Sequence, residues 1–202
     1  DSLSVSYGEA GRPYVLDGTR VESAYDAGSS QYRFEMQGGR LCLPFKGCPE
    51  FSLMSGTAQF NHASRRVNVP SCRLTTAAGG YLDIKGDWDG SSSSWTANMV
   101  VNGVPASSVL EGHWKKHVQG SVSGGIDLRG GRDGVTHVAG LARLQGGMLT
   151  GLPVLDRLAL FCGSSRFRNL PLHEASAQFS YQESAWHISN ILVESENLVR
   201  VE

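Results

Sequence analysis

The chain has 202 residues, 40% of them hydrophobic and only 18% charged, with a net charge of −1. That length can bury a sizeable core, and the near-neutral balance leaves no basic field to attract phosphate, which excludes nucleic acid as a partner. The apolar runs all fall short of the roughly 18 residues a membrane helix needs, and 25 glycines suit many short strands joined by turns.

In chain order the spacing predicts strands at Leu3–Tyr7, Tyr14–Leu16 and Thr19–Tyr25, where Val21, Ser23 and Tyr25 share a face. After the turn Asp26–Ser30, Gln31–Gln37 alternates with Tyr32, Phe34 and Met36 on one side. Gly38-Gly39 then turns into Arg40–Phe45. Cys42 and Cys48 flank a plausible turn and could bridge in an oxidising compartment; four reduced thiols are the alternative.

Phe51-Ser-Leu-Met-Ser-Gly-Thr-Ala-Gln-Phe60 follows, with Met54, Gly56, Ala58 and Phe60 in phase. A polar turn leads to Val67-Asn-Val69, Pro70 and Cys72-Arg-Leu74. The pattern returns near the end as Glu174-Ala-Ser-Ala-Gln-Phe179, then Trp186-His-Ile188, Ser189-Asn190 and Ile191-Leu-Val193. Ala58-Gln59-Phe60 matches Ala177-Gln178-Phe179 at an offset of 119. Both copies break phase once, across Pro70 and across Ser189-Asn190. Because a one-residue shift sends side chains to the opposite face, each copy should carry a bulge there. The offset aligns Val67 with Trp186 and Cys72 with Ile191.

Between the copies, Tyr81–Trp88 and Trp95–Val101 read as a hairpin. Pro105–Glu111 reads as a short helix begun by proline. Val118–Leu128 resumes alternation with Gly120 and Gly124 inward, which argues for something packed close to that backbone. Val135–Leu144 is another strand, and Pro153–Phe161 a helix ended by Gly163. Its broad apolar stripe, Leu155, Leu158, Leu160 and Phe161 with Val154, is expected to cap an apolar sheet face.

Chemical motifs are weak. His113 and His117 stand at i, i+4 without the glutamate of a metalloprotease helix. Asp87-Trp-Asp89-Gly90 lacks the distal acid of a calcium loop. Carboxylates are scattered singly, and no phosphate-cradling glycine motif occurs. The expectation is a non-enzyme with no cofactor and no metal. What remains is apolar surface: Phe34, Met54, Phe60, Trp88, Trp95, Phe179, Trp186 and Ile188 fall on inward phases. They either fill a sandwich core or line a curved sheet that holds an apolar ligand.

The stretch Val138–Ala159, followed by Phe167–Phe179 and Ile188–Val201, combines a glycine-punctuated strand, a Leu-Pro-Val-Leu-Asp helix and strands ending in a Glu-Ser run. It resembles the C-terminal region of AsmA-like bacterial envelope proteins, the relatives of TamB and YhdP. The likeness covers 118–202; residues 1–117 match only as generic repeated strands. It implies an all-β fold: an extended, curved, taco-like antiparallel sheet with two short helices. It implies a groove for phospholipid acyl chains, periplasmic location, inner-membrane anchorage through a region outside this chain, and a part in supplying the outer membrane. The chain then reads as a piece of a longer protein. The competing reading is a β-sandwich adhesion or carbohydrate-binding module, with Trp114 and Tyr7 as candidate sugar contacts.

Overall fold

A computed structural model describes residues 2–7, 14–42, 50–110, 112, 114–182, 184–195 and 199–201. The strands are β1 (Ser2–Tyr7), β2 (Tyr14–Asp26), β3 (Gln31–Gln37), β4 (Arg40–Cys42), β5 (Phe51–Asn61), β6 (Arg66–Thr76), β7 (Tyr81–Asp89), β8 (Ser94–Pro105), β9 (Val118–Gly131), β10 (Gly134–Thr150), β11 (Asn169–Leu172), β12 (Glu174–Gln182), β13 (Ala185–Ser195) and β14 (Val199–Val201). All fourteen belong to one antiparallel sheet, ordered as a meander. A single sheet is the extended architecture expected, and not the two-layer sandwich that the adhesion reading presupposes. Helices are α1 (Ala106–Val109), α2 (Trp114–His117) and α3 (Pro153–Phe161), with a 3-10 turn at Ser165–Arg168. The sequence pattern anticipates α1 and α3. It misses α2 and the 3-10 turn, single turns of four residues that leave no periodic trace.

Two of the strands are broken. β3 and β4 lie end to end between β2 and β5. β11 and β12 lie end to end along β10. The first break is Gly38-Gly39, both at positive φ. At Gly39 (φ +94°) a β-carbon would collide with the Thr19 hydroxyl and lie 2.8 Å from the Asp17 carbonyl. Only glycine fits this crossing without strain, and Leu53 N donates to the Gly39 carbonyl at 3.0 Å. The second break is at His173, whose N–H donates to Glu194 O at 2.8 Å.

The repeat carries its shared defect. Across β5–β6, Ala58 faces two residues, Val69 and Pro70; across β12–β13, Ala177 faces Asn190 and Ile191. The bulges therefore sit at equivalent residues of the first strand of each copy. The pairing corrects the simple offset in the second strand, where Phe60 opposes Val67 but Phe179 opposes Ile188. The second hairpin turns between Gln182 and Ala185, two residues tighter than the first, between Asn61 and Arg66. Val67 thus corresponds to Ile188, not Trp186, and Cys72 to Val193, not Ile191. A shift of two preserves the face, so the inward set survives.

Register assigns one face to the apolar residues throughout. Leu74, Leu82 and Val101 are cross-strand neighbours on β6, β7 and β8, as are Cys72, Ile84 and Met99. At one end of the strands Phe51, Leu53, Leu74, Leu82 and Val104 form a buried cluster joined by Leu16, Met36 and Leu41. Leu74 and Val104 are only 1% exposed. A single sheet buries side chains that deeply by curling over its own apolar face. A second cluster, Leu155, Leu170 and Leu172 with Leu144, Leu149, Ala175 and Val193, closes the same face beneath α3.

Candidate functional site

Toward the hairpin tips the same face loses its cover. The tip row is fixed by direct cross-strand pairing: Tyr25, Tyr32 and Phe60 on β2, β3 and β5, then Val67, Trp88 and Trp95 on β6, β7 and β8. The next row in runs Phe34 to Ala58 and, farther along, Leu128 to Val138, Tyr181 and Trp186. One pair deeper, Phe179 opposes Gly140 and Ile188. Tyr25 and Tyr32 hold their ring centroids 4.6 Å apart, Tyr32 and Phe60 6.3 Å, and Tyr181 and Trp186 5.1 Å. These are tilted or offset contacts of the favoured kind.

Three small residues on this face are complements of large ones. A β-carbon on Gly130 would strike the Trp95 ring and one on Gly140 the Phe179 ring, while one on Gly56 would press on the end of the Met36 side chain at 3.2 Å. Trp95 and Phe179 thus each occupy the space over the glycine paired with them on the neighbouring strand. Gly124 has a different explanation from the one its phase suggests: a β-carbon there meets the Leu141 carbonyl of β10. Its close neighbour is the adjacent strand, not a helix.

Of the residues expected to line this surface, Phe34, Phe60, Trp88, Trp95, Phe179, Trp186 and Ile188 share the face. Trp88, Trp186 and Ile188 stay exposed, Trp186 at 62%. Met54 does not belong. It sits at a bulge between Leu53 and Ser55, where the register slips by one, and it is 53% exposed. Below that bulge Phe51 and Leu53 take the inward places. Tyr25, Tyr32, Val67 and Tyr181 complete the surface; alternation put Tyr32 in phase with Phe34 and Tyr25 in phase with Val21 and Ser23, but only the pairing register shows that both extend the aromatic row.

The capping helix is half as expected. Leu155 is buried against Leu170 and Leu172, with Ala159 buried one turn later. Val154, Leu158, Leu160 and Phe161, expected in the same stripe, are exposed and do not cap. Leu155 and Ala159, four apart, define the inward stripe, and a helix on a sheet buries one stripe only. The backbone closes α3 regularly, with Cys162 N donating to Leu158 O at 2.8 Å.

The opposite face is polar. Arg73 donates twice to Asp83 at 2.7 Å, Asn68 donates to Asp87 at 2.8 Å, and Asn98 to Asp127 at 2.8 Å. The Arg73 hydrogen bonds, then its charge, hold the Asp83 carboxyl below the ordinary range. A cleft of about 420 Å³ near the hairpin tips is bordered by Gln59, Asn68, Asp87 and Thr96 of this face, with Val67, Trp88 and Trp95 also in its lining. Asn68 and Asp87 are already committed to each other there, so the cleft is a furrow in a solvated ladder.

No group of three or more potential metal ligands occurs among the described residues. His113 lies outside them, as does Cys48, so the His113–His117 and Cys42–Cys48 pairings fall outside the described structure. Cys42, Cys72 and Cys162 are free thiols. Burial, with the Asp83 charge second, pushes the Cys72 thiol up, which makes it a poor nucleophile near neutrality. No described helix is long and apolar enough to cross a membrane. The arrangement thus offers an apolar surface and little reactive chemistry. Compared with models of known protein families, with curated proteins and with solved structures, the chain finds no match in any of the three.

Proposed function

We propose that the chain is a non-enzymatic, lipid-binding segment of an AsmA-like envelope protein, whose apolar sheet face takes phospholipid acyl chains in the periplasm. One observation carries the reading. Apolar side chains from Tyr25 on β2 to Trp186 on β13 share one sheet face, and toward the hairpin tips several of them stay exposed, whereas the other end of the same strands is closed by packing. Monomeric soluble proteins rarely leave contiguous apolar surface of that kind without a partner. An acyl chain matches it because the face runs across many strands and makes no specific polar demand. About ten methylenes laid on it would gain on the order of 8 kcal/mol before the cost of ordering the chain.

The test is native mass spectrometry and lipid extraction of the purified chain. Copurifying phospholipid, reduced in a Trp88→Glu, Trp186→Glu variant that keeps its melting temperature, supports the reading. A lipid-free protein that binds glycans on an array sinks it in favour of a carbohydrate-binding module.

A further inference from the structure

Helix α3 presents a second apolar surface that points away from the sheet. With Leu155 and Ala159 inward, the 3.6-residue period places Leu160, Arg157, Phe161, Val154 and Leu158 around the outward arc. Leu160 is 76% exposed and Phe161 91%, while Val154 and Leu158 are also open. A helix that buries one stripe and exposes four apolar side chains on the other lacks a partner.

Its surroundings are basic. The Nδ1 of His117 lies 2.7 Å from Thr150 O, and Thr150 Oγ1 donates to Lys116 O at 3.3 Å, which sets α2 beside the root of α3. Ser164 N donates to Ala159 O at 3.0 Å, which holds the following 3-10 turn against the helix end. Lys115 and Lys116 on α2, Arg157 on α3, and Arg166 and Arg168 on the 3-10 turn are all exposed. Across 106–117 and 153–168 the sequence carries two carboxylates: Asp156, which faces Arg168 at 3.7 Å, and Glu111, which lies outside the described residues.

We infer that α3, with the exposed cations of α2, the helix itself and the 3-10 turn, forms a docking point for an anionic bilayer surface, with Leu160 and Phe161 entering the acyl boundary and the arginines and lysines at headgroup level. Exposed apolar side chains flanked by exposed cations are the chemistry that recognises acidic phospholipid at an interface. Four side chains on a nine-residue helix are far fewer than the 20–30 residues a side of a stable protein interface, so a second copy of the chain fits poorly. This surface lies outside the aromatic rows, and the inference does not rest on their holding lipid.

The experiment is co-sedimentation of the purified chain with vesicles of phosphatidylglycerol and phosphatidylethanolamine, with phosphatidylcholine vesicles in parallel. The chain is expected to sediment with the anionic vesicles, less so as salt rises. Leu160→Ser with Phe161→Ser should cut binding about tenfold or more at an unchanged melting temperature. Lys115→Gln with Arg157→Gln should cost roughly fivefold per charge. Wild-type protein left in the supernatant would overturn the proposal. So would binding lost in Trp88→Glu, Trp186→Glu but kept in the α3 variants, or sedimentation velocity showing a dimer that the α3 variants abolish while vesicles bind neither form.

Discussion

The two ends of the apolar face are made by the same strands and differ in what lies over them. At the closed end Leu74 on β6 and Leu82 on β7 oppose each other and are buried with Phe51 and Val104. A few residues along the same two strands, Val67 opposes Trp88, and the indole is exposed. Side-chain size does not explain the difference, because the open end carries the larger groups. Curling and the helices explain it. Where the sheet bends at bulges and glycine breaks, short side chains meet across the bend. Toward the hairpin tips no second layer lies over the face, and Trp88 and Trp186 stay exposed. Stability therefore belongs to one end and available surface to the other.

The largest expected effect tests that division directly. Leu74→Ala removes a fully enclosed side chain and should destabilise by about 2–5 kcal/mol. Trp88→Ala deletes a larger group at the open end, and should cost about 1 kcal/mol or less in lipid-free protein. Thermal denaturation of the two variants settles the order; equal losses would mean that the open end is packed in solution. Next comes α3. Leu155→Asp places an unpaired charge in the second cluster and should cost several kcal/mol, whereas Leu158→Asp, on the outward side, should stay within about 0.5 kcal/mol. The expectation that both leucines are buried fails at Leu158, and this pair measures by how much.

The bend itself can be attacked. Gly39→Ala forces a β-carbon into the Thr19 side chain at a positive φ. It should cost on the order of 1–3 kcal/mol, with increased amide exchange in β4 and the adjoining part of β2. A neutral Gly39→Ala would show that the break between β3 and β4 relaxes easily and does not hold the curl.

Much of this was legible in the sequence, for physical reasons. Period-two alternation placed nearly every inward residue, because the side-chain period of a strand is fixed by geometry. The phase breaks at Pro70 and Ser189-Asn190 marked real bulges. Met54 was misplaced because its bulge, between Leu53 and Ser55, has no proline or glycine to announce it. Alternation also says nothing about which end of a face is covered, since that depends on curvature accumulated over many strands. The helix α3 was found from Pro153 and Gly163, but a nearly all-apolar helix has no polar side to fix its rotation. Leu158 and Phe161 were therefore read as buried with Leu155.

The smallest expected effect concerns the tips, where polar turns do the work that packing does at the closed end. In the β2–β3 turn Asp26 accepts from Ser29 Oγ at 2.6 Å and Gly28 N at 3.0 Å. In the β7–β8 turn Asp89 accepts from Ser91 N at 2.9 Å and from Arg66 at 3.0 Å. The Ser91 hydroxyl, then its N–H, with Arg66 beyond, lowers the Asp89 carboxyl to about 2, and Asp26 is lowered chiefly by the Ser29 hydroxyl. A carboxyl depressed in the folded state adds stability that is complete above its unfolded value, about 3.9, and is lost as pH falls through its folded value. Between about pH 4 and pH 2 the tips should therefore loosen first; the closed end also carries lowered carboxyls, Asp83 held by Arg73 and Asp17 by Ser4 and Arg40, but there the buried cluster holds the strands together. Amide exchange across that window should rise first in residues 26–31 and 89–94, and Asp89→Asn should flatten the pH dependence of its turn. Uniform loss of protection, with the Leu74 and Leu82 amides opening alongside the turns, would show that the ends unfold as one unit and that the division between them is one of surface alone.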